Sequence, residues 1–400
     1  MAYDVAGIRA WFPALEHGWA LFDGPGGTQA PRQVGAAIAS TLTGPLSNRG
    51  RLGESAQRAD DAVAAFRDAV ADLTGADPRG VVHGRSATQL VYDFSRHLSR
   101  GWAPGDEVVV TRLDHDSNVR PWVQAAESAG AEVRWVAFDA ATGELPVEAV
   151  TAALSERTRL VAVTAASNLI GTMPDLPSIA AAVHDAGALL FVDGVHHAAH
   201  ELPDVGALGA DFLTCSPYKF LGPHCGLLVA DPALLETIAP DKLLPATDVV
   251  PERFEFGTLP YELLAGVTAA VDVLASLAGA ESGSRRIRLE ASYAALHEHE
   301  SRLLARLESA LADLPGTTLH SRASRRTPTL LATFTGHEAS AVSDALAADR
   351  VLAPSGNFYA LEASRHLGLG DAGGLRIGLA PYTDDEDVER LIAALGRIVR

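Results

Sequence analysis

Lysine is nearly absent from this chain: of 400 residues only Lys219 and Lys242 are lysines, and every other basic side chain apart from histidine is an arginine. The bias runs through the whole sequence and carries no functional message, but it makes each lysine easy to weigh. Cysteine is equally scarce. Cys215 and Cys225 stand at a spacing that suits neither a CxxC redox pair nor a zinc site, so both read as small core residues. No run of 18 apolar residues occurs, and residues 1–11 lack the basic-then-apolar order of a secretory leader, so a membrane partner is excluded and a cytoplasmic location is expected. Positive charge is in deficit, with a formal net charge of -18. Nucleic acid and anionic membranes would be repelled, and any anion bound must meet a local site. What remains plentiful is apolar surface: 48% hydrophobic residues over this length can bury a large core and favour two or more domains.

Periodicity predicts a short amphipathic helix over residues 3–11, a strand over 19–22, a turn-rich loop at Asp23-Gly24-Pro25-Gly26-Gly27-Thr28, and a helix over 54–74. Strands at 81–82, 107–111, 132–136 and 159–164 then alternate with helices at 87–98, 119–128 and 146–154. A helix at 176–185 and strands at 188–192, 211–214 and 226–229 follow. Repeated strand-helix-strand units with Val/Leu/Ala-rich strands argue for an α/β fold, a mainly parallel sheet covered by helices on both faces. Beyond Thr258 the texture changes to long helices (261–278, 285–314), strands at 329–335 and 375–379, and helices at 339–348 and from 384. This α+β pattern has its own small sheet. The expected boundary lies in the helix after Thr258, giving a large domain with an N-terminal segment (1–262) and a small α+β domain (263–400).

Lys219 sits in Asp-Phe-Leu-Thr-Cys-Ser-Pro-Tyr-Lys-Phe-Leu-Gly-Pro, between an apolar strand and a turn, whereas Lys242 lies in a polar loop. A desolvated lysine can form a Schiff base with an aldehyde, pyridoxal phosphate being the aldehyde most often held this way. Its partners are sought at strand ends, where open α/β sheets bind ligands. His83-Gly84-Arg85-Ser86-Ala87-Thr88 offers free N–H groups at a helix N-terminus and the Ser86 hydroxyl for a phosphate, although Ser86 as a plain helix cap fits equally. Leu189-Leu190-Phe191-Val192-Asp193 ends an apolar strand in a carboxylate that needs a cationic or N–H partner, a pyridinium nitrogen or its own helix cap. His115, at another strand end, could stack on a flat ring, and His196 could reach that ring's edge. Metal binding by His196, His197 and His200 is the rival reading.

In combination these motifs make the chain resemble the class V aminotransferase, cysteine desulfurase-like family of fold-type I pyridoxal-phosphate enzymes, from about Ala14 to the C-terminus. The resemblance implies a seven-stranded-type sheet and pyridoxal 5'-phosphate as cofactor. Ser216-Pro217-Tyr218-Lys219 is similar to the family's Ser-x-His-Lys, which makes Lys219 the Schiff-base lysine and Ser216 a phosphate ligand, with Tyr218 in the histidine's place. Gly84-Arg85-Ser86 resembles its Gly-Thr-Thr phosphate loop, Asp114-His115 its Glu-His, and Asp193-Gly194-Val195-His196 its Asp-Gly-Ala-Gln. These give His115 to the ring face, Asp193 to the ring nitrogen and His196 to the phenolic oxygen. Ser167-Asn168-Leu169-Ile170-Gly171-Thr172 puts Asn168 near the same oxygen. Arg253-Phe254-Glu255-Phe256-Gly257-Thr258 implies a homodimer in which Thr258 completes the neighbouring phosphate site. Arg376, in Leu375-Arg376-Ile377-Gly378-Leu379-Ala380-Pro381-Tyr382, would clamp a substrate carboxylate.

One departure limits the function carried over. Desulfurases supply a nucleophilic cysteine from the loop before that arginine; here Ser355-Gly356-Asn357-Phe358-Tyr359-Ala360 has Tyr359 in its place, and no cysteine follows Cys225. Asn357 and Tyr359 are therefore candidate substrate contacts. The expected protein is a homodimeric enzyme acting on a small amino acid, with Lys219 as the base at Cα, by transamination, C–S lyase-type elimination or epimerisation. The alternatives are a desulfurase with an unusual thiol, a non-catalytic relative, or a metal-dependent hydrolase.

Overall fold

The computed structural model describes residues 3–279 and 282–399. Thirteen strands occur among them: Ala20–Leu21 (β1), Val81–Gly84 (β2), Glu107–Thr111 (β3), Glu132–Val136 (β4), Thr158–Thr164 (β5), Leu189–Asp193 (β6), Phe212–Cys215 (β7), Gly226–Ala230 (β8), Thr317–Leu319 (β9), Thr329–Phe334 (β10), Val351–Leu352 (β11), Ser355–Gly356 (β12) and Gly374–Gly378 (β13). Strands β2 to β8 form one seven-stranded sheet in the order β2-β8-β7-β6-β5-β3-β4. Only β8 runs antiparallel to its neighbours. The strands read as unbroken apolar runs because both faces are buried: Val109, Val161, Val163, Val192 and Leu213 point into one core, and Val108, Val110, Ala162, Phe191 and Phe212 into another. The alternation of strands and helices predicts this mainly parallel sheet, and its seven strands agree with the fold-type I architecture that the resemblance implies.

A second sheet, ordered β12-β13-β10-β9, and the two-stranded β1-β11 pair share a further core built from Phe22, Leu330, Ala332, Leu375, Ile377 and the helix Asp385–Ile398. The residue 19–22 strand thus shortens to β1, which pairs in parallel with β11 from the far end of the sequence. The helix Arg285–Ala312 belongs to both bodies: Leu289, Tyr293 and Leu296 pack under the large sheet, and Leu303, Leu307 and Leu311 under the small one. The helix Tyr261–Leu274 packs in the large core, through Leu264, Val267 and Val271. A helix absent from the periodicity reading, Arg32–Thr43, packs against it. Its Ala/Gly/Thr-rich sequence buries only Val34 within one chain. The approach is close enough that a Cβ on Gly266 would come within 2.7 Å of Ile38. Glycine there is a packing requirement.

Candidate active site

The carboxyl ends of β2, β3, β5, β6 and β7 lie on one edge of the sheet, with the start of antiparallel β8 between β2 and β7, and these ends line one cavity. Its walls include Ala87 and Thr88 after β2, His115 and Ser117 after β3, Thr164, Ala166 and Asn168 after β5, Asp193, Val195 and His196 at β6, and Ser216, Tyr218 and Lys219 after β7. Seven of the sequence-predicted residues are brought together here: His115, Asn168, Asp193, His196, Ser216, Tyr218 and Lys219.

Lys219 ends the single turn Pro217–Lys219, which follows directly on β7 and is 6% exposed. Among the described residues no carboxylate pairs with its amine. Burial, and then the nearby Arg376 cation, pull its pKa down to about 8, only partly offset by Asp193 and Asp23. The turn is fixed from the N-terminal loop: Thr28 N–H donates to the Tyr218 carbonyl at 3.0 Å and the Leu221 N–H donates to the Thr28 hydroxyl at 2.8 Å. Tyr218 lies flat against His224, with ring centroids 4.8 Å apart.

Asp193 is the last residue of β6, and its Oδ1 accepts the Val195 N–H at 2.9 Å. Burial raises its pKa, while that N–H and the Lys219 charge oppose the rise. His115 accepts the Ser117 N–H on Nδ1 at 3.1 Å, which leaves the proton on Nε2. Burial and the charges of Lys219 and Arg376 drop its pKa to about 3, so the ring is neutral. His196 holds Nε2 at 2.9 Å from both Thr327 and Thr329 hydroxyls. Its Nδ1 is buried without a partner, as is Oδ1 of Asn168, whose Nδ2 donates to the Phe358 carbonyl at 2.9 Å.

The remaining predicted residues fall elsewhere. Ser86 caps the helix Ala87–Leu98, its hydroxyl oxygen accepting the Gln89 N–H at 3.1 Å, and Thr88 takes a place in the cavity wall. Arg85 and Thr258 line a separate cavity with His83, Gln89, His224 and Phe256. Arg376, Asn357 and Tyr359 are outside the first cavity's walls. Arg376 is buried, with Nη2 on Asp23 at 2.7 Å and Nη1 on the Asn168 carbonyl at 3.1 Å. Phe358 covers its face at 3.6 Å. Asn357 turns away to the Asp371 carbonyl, and Tyr359 is 73% exposed. Asp23 and Phe358 are the site neighbours that sequence reasoning missed. The glycine-rich loop that opens with Asp23 was the available signal.

His196 is engaged by two threonines and His200 by Glu300 at 2.9 Å, and no group of three His, Cys, Asp or Glu side chains among the described residues could hold a metal ion. Both cysteines are free and buried; burial pushes the Cys225 thiol up to about 12 and Cys215 higher still.

A family description, "Aminotransferase class-V", matches residues 20–391. A protein of Mycobacterium tuberculosis named "Uncharacterized protein MT3887" is 36% identical over the full length of both chains. A cysteine desulfurase of Pectobacterium atrosepticum is 30% identical, covering 100% of this chain and 99% of the relative. Among solved structures, the Escherichia coli cysteine desulfurase CsdA superposes with a TM-score of 0.87 at 27% identity, covering 99% of this chain and 98% of that one.

Proposed function

Because the chain belongs to the class-V aminotransferase family, whose members depend on pyridoxal 5'-phosphate, we propose that it is an enzyme that carries this cofactor on Lys219 and acts on a small amino acid without a loop thiol. The observation that carries the reading is the convergence on one cavity of Lys219, Asp193 and His115 with two unpartnered buried atoms, Asn168 Oδ1 and His196 Nδ1. Buried polar atoms cost free energy when left unpaired, so a polar aromatic ring that supplies partners fits these two atoms. Bound there, the cofactor supplies an aldehyde that joins an amine and a ring that absorbs charge from Cα.

Each wall residue then has a task. Asp193 holds a proton at the ring nitrogen by opposite charge. His115, neutral, offers a flat face. Asn168 and His196 meet the phenolic oxygen, and Ser216 and Thr88 offer hydroxyls to the phosphate beside the N-terminus of the helix Ala87–Leu98. Lys219, once released by the substrate amine, takes the proton from Cα; burial and Arg376 bring its pKa from 10.5 down to about 8, so a far larger share of it is free at neutral pH than of an ordinary lysine. Arg85 and Thr258, in their separate cavity, fit the reading in which a homodimer completes the phosphate site from the neighbouring subunit.

The reaction is transamination, C–S lyase-type elimination or epimerisation. Desulfuration needs a mobile thiolate, and Tyr359 offers a phenol instead. Among the described residues no helix is long and apolar enough to cross a membrane; the proposed location is the cytoplasm. The deciding experiment is the visible spectrum of the purified, cofactor-loaded protein before and after adding single amino acids. A band that shifts on adding one of them supports the reading. A protein that takes up no cofactor would be a non-catalytic relative.

A further inference from the structure

We propose that Asp23 is a specificity-determining residue, whose carboxylate occupies in the free protein the edge of Arg376 that a substrate's carboxylate must take, so that acids bind here by exchange. The proposal rests on the reading of Arg376 as the carboxylate clamp of the proposed reaction.

A guanidinium grips a carboxylate through two parallel N–H donors. In Arg376 no such pair is open. Nη2 donates to Asp23 Oδ1 at 2.7 Å, Nη1 donates to the Asn168 carbonyl at 3.1 Å, and Phe358 lies 3.6 Å over the plane. Of the three nitrogens only Nε has no partner, and it is buried. The Asn168 carbonyl is backbone, and Phe358 is tied to Asn168 Nδ2 through its own carbonyl at 2.9 Å. Asp23 is the partner that can leave, because its side chain is 32% exposed against 2% for Arg376.

The loop around Asp23 favours side-chain rotation over loop movement. A Cβ on Gly24 would meet the Leu379 carbonyl oxygen at 2.1 Å, and one on Gly378 would meet Pro25 at the same distance, so the backbone is seated tightly on β13. Rotation of Asp23 toward solvent frees Nη2, which with the idle Nε makes one complete two-donor edge. The incoming carboxylate keeps the buried cation paired throughout, and the displaced one regains water. An amine without a carboxylate has nothing to exchange and leaves Asp23 seated. The site therefore selects for acids strong enough as ligands to displace an internal competitor, and Asp23 sets that threshold.

The test compares wild type with Asp23→Asn, which keeps the size and removes the charge. In cofactor-loaded protein, spectral titration is expected to give alanine at least 10-fold tighter binding in the variant, with ethylamine changed less than threefold. In cofactor-free protein, propionate is expected to raise the melting temperature of the variant at least at 10-fold lower concentration than that of wild type. Unchanged or weaker alanine and propionate binding in Asp23→Asn would overturn the proposal. The propionate arm needs no cofactor, so it decides the matter even if the spectrum never responds to an amino acid and the proposed function fails. Should the variant not fold, a crystal structure of wild type with propionate decides: Asp23 turned away from Arg376 is expected, and Asp23 still bonded to it beside a bound propionate is the contrary result.

Discussion

The imidazole of His115 and the phenol ring of Tyr359 lie 5.6 Å apart, inclined by 37°. The exposed Tyr359 ring therefore rests beside a histidine of the cavity wall. It is held there: the Asp116 N–H donates to the Tyr359 carbonyl at 2.7 Å, and Phe358 and Tyr359 keep left-handed φ values of 51° and 60°. Two adjacent non-glycine residues in that region cost roughly 1–2 kcal/mol each, so the surrounding bonds fix the loop rather than leave it swinging.

Incubation with cysteine is accordingly expected to give pyruvate or no reaction, never alanine with a protein persulfide. Simple elimination leaves pyruvate, whereas thiolate attack on sulfur leaves alanine. Identification of the carbon product together with alkylation mapping of Cys215 and Cys225 checks this. Alanine in stoichiometric yield with either cysteine persulfidated would sink it.

Lys219 makes a prediction about stability. Its folded-state pKa, about 8, is below the ordinary 10.5, so the fold disfavours the protonated amine. The resulting penalty is absent above pH 10.5, grows as pH falls, and is complete below about 8, where it amounts to about 3 kcal/mol at 1.36 kcal/mol per unit. Lys219→Met should therefore raise the stability of the cofactor-free protein at pH 7 by an amount of that order, with the gain vanishing toward pH 10.5. Denaturant titrations of both proteins at pH 7 and pH 10.5 provide the comparison; equal stability at pH 7 is the adverse result.

Borohydride reduction of the loaded protein followed by peptide mapping should find the cofactor on Lys219. Lys242 is instead bonded to the Ala246 carbonyl and Asp248 in a polar loop. Modification at Lys242 would contradict the assignment.

Asp193→Asn should retain much of its cofactor and lose at least ~100-fold in turnover, on the order of 3 kcal/mol of barrier. The phosphate contacts proposed for Ser216 and Thr88 are untouched by the change, while the charge at the ring nitrogen is lost. Cofactor content by absorbance and steady-state rates together check it. Near-normal turnover would make Asp193 only the acceptor of the Val195 N–H.

The sequence made the large sheet legible because its strands are buried on both faces and read as continuous apolar runs between turn residues. The cavity followed from chain order alone: five strand ends on one sheet edge bring Lys219, Asp193 and His115 together whatever their spacing. What periodicity could not reach were choices made by local competition and by distance. Ser86 had two uses open to it, and the sequence could not tell that its oxygen caps the helix by accepting the Gln89 N–H. The resemblance pointed to Arg376 as a carboxylate clamp but gave no sign of its partner Asp23, which lies 353 residues away. The helix Arg32–Thr43 gave little apolar signal because one chain buries so little of it.

β1 adds a constraint on time. Ala20 pairs with Val351, and Phe22 is fully buried among side chains drawn largely from beyond residue 300. During synthesis the N-terminal strand must wait, unpaired, until most of the chain has left the ribosome, and closing so long a loop is slow. Asp23 follows Phe22 directly, so it reaches Arg376 only when that closure is made. A nascent chain can assemble the walls around Lys219 early, but the roof over Arg376 is the last part of the site to exist.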